Sequence, residues 1–418
     1  MRFRISIIVA LLIALHCRAN ENWPQFRGPS GDGQSDSTGL VTKWSENENI
    51  RWKTLIDEEG WKGWSSPVIW GDQIWLTTAP QDGKEYDAIC VDRKSGAIRF
   101  RLKLFSEEKP AFCHPFNSYA SPTPVIEEGR VYVHFGAHGT ACLDTATGKV
   151  IWERNDLKCD HYRGPGSSPI IWGKLLFLTF DGFDFQYVMA LDKETGKTVW
   201  KKDRNIVYST DNGDYKKGYS TPSVLMIDGK PQLVSPSAEA TIAYNPVTGE
   251  ELWRVRHGGM NEACRPLFGH GLIYLTTGNT MNLLALRAGG SGDVTGDIAW
   301  KMNRGVPTRP SPLLIGDSIY MMSDNGIASC VDAKTGKQLW QERVGKPCTA
   351  SLVFANDCIY AADQEGATHV FAASRTYSLI ATNKLDDGCM ASPAIAGDAI
   401  FLRTKTNLYC IGLKQARR

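Results

Sequence analysis

Apolar positions along this chain fall in short bursts that alternate with polar residues, and no stretch of the mature region holds helical spacing for long. Runs such as "IIWGKLLFLTF" (170–180) and "SPLLIGDSIYMMS" (311–323) are cut by Gly, Asp and Pro every few residues. Alternation of period two with turn punctuation predicts short strands and an all-β chain. One phrase recurs between the bursts, as "LDTATGKVIW" (143–152), "LDKETGKTVW" (191–200), "YNPVTGEELW" (244–253) and "VDAKTGKQLW" (331–340). From its Asp or Asn to the closing aromatic the spacing is always eight: Asp92–Phe100, Asp144–Trp152, Asp192–Trp200, Asn245–Trp253, Asp332–Trp340. Such constancy is geometric. The Asp side chain bonds turn N–H groups, Gly accepts a positive φ, and a tryptophan buries on the order of 150–250 Å² where it packs.

The whole repeat opens on Ser-Pro or a variant of it. Its starts are Ser66-Pro67, Ser121-Pro122, Ser168-Pro169, Thr221-Pro222, Arg265-Pro266, Ser311-Pro312, Ser351-Leu352 and Ser392-Pro393. Eight units of four short strands predict a single eight-bladed β-propeller. The repeat residues are Trp52, Trp152, Trp200, Trp253, Trp300 and Trp340 with Gly96, Gly148, Gly196, Gly249, Gly296 and Gly336. In the fifth unit the turn is lengthened ("RAGGSGDVTGDIAW"), yet Gly296 still precedes Trp300 by four. The eighth unit ends at "NLYCIGLKQARR" without a turn or Trp; "NIRWKT" (49–54) supplies the missing strand and closes the ring.

Residues 1–19 read as a signal peptide: "MRFR", the apolar "ISIIVALLIAL", then Cys17 and Ala19 before cleavage at Asn20. Acylation of Cys17 is the alternative, which His16 disfavours. The expected organisation is therefore signal peptide 1–19, extension 20–48 and propeller 49–418, in an exported, periplasmic or extracellular monomer. A net charge of +2 without basic runs argues against nucleic acid and anionic membranes, and no second segment is apolar enough to span a bilayer. Cys90, Cys142, Cys330 and Cys410 share one repeat slot with Ala190, Ala243 and Ala285. That slot wants a small buried side chain, so these four are expected as free core thiols.

The repeated phrase resembles the tryptophan-docking repeat of quinoprotein alcohol dehydrogenases and of the BamB-type outer-membrane assembly lipoprotein. More narrowly, "WPQFRGPSGDG" (23–33), "NSYASPTP" (117–124), "HFGAHGTACLD" (134–144) and "RGVPTRPSPLL" (304–314) look like the exported PQQ-binding-like propellers of planctomycetes. The dehydrogenase likeness implies pyrroloquinoline quinone (PQQ) and calcium in a funnel, with an Asp as base. Those enzymes carry an adjacent cysteine pair, and many carry a CxxCH haem motif; this chain has neither. Glu239, Asn261 and Asp324 are acids and amides expected near the mouth, with no motif that assigns them to calcium.

In a propeller the Asp-Thr-Gly turns lie on one face and the loops leading into the Ser-Pro units on the other. The residue three before each proline or its equivalent is then a ring position around the channel mouth: Trp64, Tyr119, Gly166, Tyr219, Ala263, Arg309, Thr349 and Met390. Ligand-binding candidates there are Trp64, His114, Asn117, Tyr119, His138, His161, Arg163, Tyr219, Glu239, Arg265, Arg309 and Asp324, mainly from blades 2–6. "CHPFNSY" (113–119), "HFGAHG" (134–139) and "CDHYRGPG" (159–166) meet in this reading, which makes His114, His134, His138 and His161 metal-ligand candidates without a compact ligand motif. The reading that follows is a ligand- or protein-binding scaffold of the envelope whose partner is an envelope protein, a polar small molecule or a glycan. A PQQ-dependent oxidoreductase and a carbohydrate-active propeller are the alternatives.

Overall fold

The computed structural model describes residues 21–414; the expected signal peptide and Cys17 lie outside the described residues. Eight sheets, antiparallel except for one short parallel pair in blade 4, succeed one another around a ring. Blade 3 shows the plan from the channel outward: Ile170–Trp172, Leu175–Asp181, Gln186–Asp192 and Thr198–Asp203. The two central strands are almost wholly buried and the outermost is mostly exposed, which is why the apolar bursts are so short. Ile50–Leu55 pairs with Asn407–Ile411, Trp52 opposite Cys410, and so completes blade 8 with the first strand of the described residues. A buried ion pair fastens that seam: Arg403 Nη2 lies 2.6 Å from Asp57 Oδ2, while Arg403 Nη1 donates to the Ser65 and Thr77 carbonyls of blade 1.

The recurrent phrase is the joint between blades. Asp192 Oδ1 accepts from the N–H groups of Glu194 and Thr195 and from the Thr195 hydroxyl, and Asp92, Asp144 and Asp332 repeat the pattern. Five of the six repeat tryptophans then lie over the turn of the next blade. Trp52, Trp152, Trp200, Trp300 and Trp340 donate Nε1–H to the carbonyls of Arg93, Lys193, Pro246, Ala333 and Ser374. Gly96, Gly196, Gly249 and Gly336 sit under Trp52, Trp152, Trp200 and Trp300, where a Cβ would come within 2.8 Å of ring carbons.

Gly296 departs from this expectation. Its surroundings are open, its φ is not in the left-handed region, and the lengthened loop instead sends Gly292–Asp293 back to pair with Trp253–Arg254 of blade 4. Trp253 therefore donates to Gln232 Oε1 within its own blade. Cys90, Cys142, Cys330 and Cys410 are buried, and the ten described cysteines stand as free thiols.

The extension before the first strand threads the channel. Trp23 exchanges backbone bonds with Ile69 of blade 1, the Pro24 carbonyl accepts from Ile126 of blade 2, and Gly33 and Ser35 bond Phe354 of blade 7. Two buried arginines hold this plug. Arg27 donates to the carbonyls of Ser311, Leu352, Asp32 and Pro312; Arg265 donates to the Phe26 carbonyl and to Gln25 Oε1. Burial pulls Arg27 down to about 10 and Arg265 to about 9, so both stay charged at neutral pH.

Candidate functional site

At the mouth opposite the Asp-Thr-Gly turns, the plug converts the channel into a blind cup of about 480 Å³ floored by Phe26. The Ser-Pro units form its inner wall through a belt of hydroxyls. The backbone N–H groups of Ser66, Thr123 and Ser168 donate to the hydroxyl oxygens of Thr123, Ser168 and Thr221. Those of Arg265, Ser311, Ser351 and Ser392 donate to Ser311, Ser351, Ser392 and Ser66. Proline follows most of these residues because the next position needs no N–H donor. Blade 5 has Arg265 in the belt, and its side chain turns to the plug.

The belt corrects the expected register of blade 2. Thr123-Pro124, not Ser121-Pro122, starts that blade, so Ser121 takes the ring position. Tyr119 lies behind the cup, its hydroxyl donating to the Ala111 carbonyl at 2.6 Å and its ring edge-on to Tyr86 and His138. The other seven ring residues, Trp64, Gly166, Tyr219, Ala263, Arg309, Thr349 and Met390, all line the cup.

Of the twelve candidates, Trp64, His114, Asn117, Arg163, Tyr219 and Arg309 meet at the cup. Their orientation is fixed from behind. Arg163 Nε and Nη2 pair with Asp214, and Arg309 Nε lies 2.5 Å from Asp324 Oδ1, with its guanidinium 4.6 Å above the Phe116 ring. Asn117 donates to the carbonyls of Arg163 and Pro165 and accepts from Ser121; Trp64 donates to the Phe116 carbonyl. His114 Nδ1 accepts from the Phe116 N–H. Asp324 thus serves from behind Arg309. Glu239 stands at a separate cavity of about 270 Å³ with His257 and accepts from Ser209. Arg265 belongs to the plug.

The histidines do not converge on a common point. His134 shares a hydrogen bond with Thr140, His138 stacks on Tyr86 at 4.7 Å, and His161 Nε2 accepts from the Ala137 N–H. Burial lowers His134 to about 3, His138 to about 4 and His161 well below its ordinary value, so all three are neutral. Among the described residues no group of three or more His, Cys, Asp or Glu is placed to hold a metal ion.

Phe26, Phe116, Asn279 and Thr308 complete the wall and escaped the sequence reading. Phe116 and Thr308 neighbour residues that were found; Phe26 belongs to the extension and carries no repeat signal. The lining includes two arginines and one histidine but neither aspartate nor glutamate. Calcium demands several oxygen donors, carboxylates foremost. This donor set does not fit a calcium ion. The carboxyl of Glu262, adjacent to the lining residue Asn261, is buried without a hydrogen-bond partner among the described residues, and desolvation raises it well above the carboxylate range.

Fold and mouth together define a tryptophan-docked, eight-bladed β-propeller of the PQQ-like superfamily, with its channel closed from one end. The chain belongs to the family described as outer membrane protein assembly factor BamB, whose profile matches residues 37–185 and 184–418. It is 24% identical to the outer membrane protein assembly factor BamB of Shewanella oneidensis over 378 residues, covering 86% of this chain and 89% of the relative. It is 33% identical to the quinoprotein alcohol dehydrogenase PedH of Pseudomonas putida over 138 residues, 31% of this chain. That match spans only 22% of the dehydrogenase. The crystal structure of BamB from Moraxella catarrhalis superposes with a TM-score of 0.62 at 13% identity, over 87% of this chain and 99% of that one, a likeness of fold.

Proposed function

We propose that this protein is an exported binding module of the cell envelope, and that the cup at its channel mouth takes a polar ligand or a polar segment of a partner protein. One observation carries the reading: the cup is blind, rigidly walled, and lined by donors and aromatic faces without a carboxylate. Binding sites of this kind fix orientation with a few placed polar groups on a preformed surface. His114 is the one imidazole among the lining side chains; its Nδ1 accepts from the Phe116 N–H, and no carboxylate in the lining stands beside it to poise it as a base. The family's assembly-factor relatives agree with a scaffold role in the envelope.

Trp64 reports on occupancy. Titration with glycans, organic acids and envelope extracts should give saturable changes in its fluorescence, absent in Trp64→Phe, with no turnover of the ligand. The PedH likeness favours a second reading, quinone-dependent oxidation of alcohols or sugars. It predicts an absorbance change, a thermal shift and dye-linked alcohol oxidation once PQQ and calcium are added. Turnover in that assay would replace the binding reading; flat responses would remove the quinone.

A further inference from the structure

The hydroxyl belt and the two arginines specify the charge of the ligand. In Ser66, Thr123, Ser168, Thr221, Ser351 and Ser392 one lone pair of the oxygen receives a backbone N–H from the adjoining blade. That bond fixes the oxygen, and none of these hydroxyls donates to another of the described residues. Their O–H groups are therefore free to donate toward the cup. The arginines are arranged alike. Asp214 holds Arg163 by Nε and Nη2, and Asp324 holds Arg309 by Nε, which leaves Nη1 of the first and both Nη of the second for a ligand. A cup of donors with its carboxylates placed behind the cations accepts an anion bearing several oxygens.

A second feature lies beside it. Phe112, Tyr162 and Phe183 form an exposed row, with ring centroids 5.9 and 5.4 Å apart, although Phe112 is 56% and Tyr162 39% exposed. Contiguous exposed aromatics on a soluble face mark an interaction site. The row abuts the cup at the lining residue Arg163, whose guanidinium lies 5.8 Å from the Tyr162 ring centre. Exposed rings in series, each tilted 51–52° to its neighbour, suit a chain of sugar rings whose C–H groups pack on them while their hydroxyls remain in water.

We infer that the cup and its aromatic row bind an acidic oligosaccharide, a uronate carboxylate between Arg163 and Arg309 and the following sugar rings along Tyr162, Phe112 and Phe183. This rests on the cup being the ligand site. An acidic peptide would satisfy the arginines but has less use for a row of exposed aromatic rings, so the sugar is favoured.

The test is calorimetric titration of the full chain with hexagalacturonate, galacturonate, maltohexaose, polyglutamate and PQQ. Hexagalacturonate should bind at least about tenfold more tightly than maltohexaose, as expected of a desolvated Arg–carboxylate contact. Arg309→Gln should lose about tenfold for hexagalacturonate, and Arg309→Lys should recover part of it. Phe183→Ser, on the exposed row, should weaken hexagalacturonate and leave galacturonate unchanged; circular dichroism checks that each variant is folded. Equal affinity for maltohexaose, or polyglutamate binding as tightly as hexagalacturonate, overturns the inference. If only PQQ binds and Arg309→Gln weakens it, the inference falls and the cup remains the ligand site. If a bound probe is indifferent to both Arg309→Gln and Trp64→Phe, the cup reading falls as well.

Discussion

Placing Gly196 and Gly296 in different environments makes a paired test of how the blades are joined. Both are read from the sequence as the glycine four residues before a tryptophan, so a sequence rule predicts equal effects of Ala at each. The structure does not. Gly196 has φ +70, and a Cβ there would stand 2.7 Å from ring carbons of Trp152. The left-handed backbone costs an Ala about 1–2 kcal/mol, and overpacking a buried joint adds about 1–3 kcal/mol. Displacing the indole also strains its bond to the Lys193 carbonyl, a net contribution of about 1 kcal/mol. Gly196→Ala should therefore lose about 2–5 kcal/mol. Gly296 has open space and an ordinary φ, so Gly296→Ala should fall within about 0.5 kcal/mol of wild type, or stabilise slightly by restricting the unfolded chain. Urea unfolding followed by tryptophan fluorescence measures both, with the slope m compared first to confirm a common unfolded state. Equal losses at the two sites, or a loss below about 1 kcal/mol at Gly196, would show that the docking geometry does not set stability.

Three other outcomes follow from the same structure. Arg27→Met leaves four carbonyls in the channel without their donor, so it should cost about 2–5 kcal/mol and loosen the plug. Limited proteolysis should then cut within residues 21–35, and an uncut segment would contradict the anchoring role. Acid should destabilise the fold well above the carboxylate range. His134 lies near 3 and His138 and His257 near 4, against 6.5 when exposed, so the unfolded chain binds more protons between about pH 4 and 6.5. Stability should rise with pH there by up to about 1.4 kcal/mol per pH unit per histidine and be lost on acidification; His257→Gln should flatten the slope, and a flat wild-type profile from pH 7 to 5 would refute it. Tyr119→Phe should leave ligand binding at the cup unchanged, because its hydroxyl bonds Ala111 behind the wall, whereas Tyr219→Ala should weaken it.

How much the sequence discloses depends on whether a residue's role repeats. The turn Asp, the glycine and the tryptophan answer one local geometry many times, so their spacing reveals blade number, ring closure by Trp52 and the sense of the two faces. The ring position inherits that regularity, and seven of its eight members were legible as cup residues. The eighth failed on a local ambiguity: "SPTP" offers two hydroxyl–proline pairs, and only a bond from a different blade, Ser66 N–H to Thr123 Oγ1, selects the second. Gly296 failed for the opposite reason. The motif's letters persisted while the inserted loop paired with blade 4 and removed the contact that gives the letters meaning.

Roles that occur once leave weaker traces, and the mouth is made of them. The histidines looked like a cluster because their loops adjoin, but each imidazole is taken up by a local partner, Thr140, Tyr86 or the Ala137 N–H. Arg265 did carry a signal: it is the one start without a hydroxyl, in a series otherwise begun by Ser or Thr. A break in so regular a series marks a residue recruited elsewhere, and here its guanidinium reaches the Phe26 carbonyl across the channel. The floor of the cup is thus built by the segment that the repeat cannot describe. Propellers that share every blade joint can still differ completely in what their mouths accept, because the plug and the entry loops vary while the tryptophan turns do not need to.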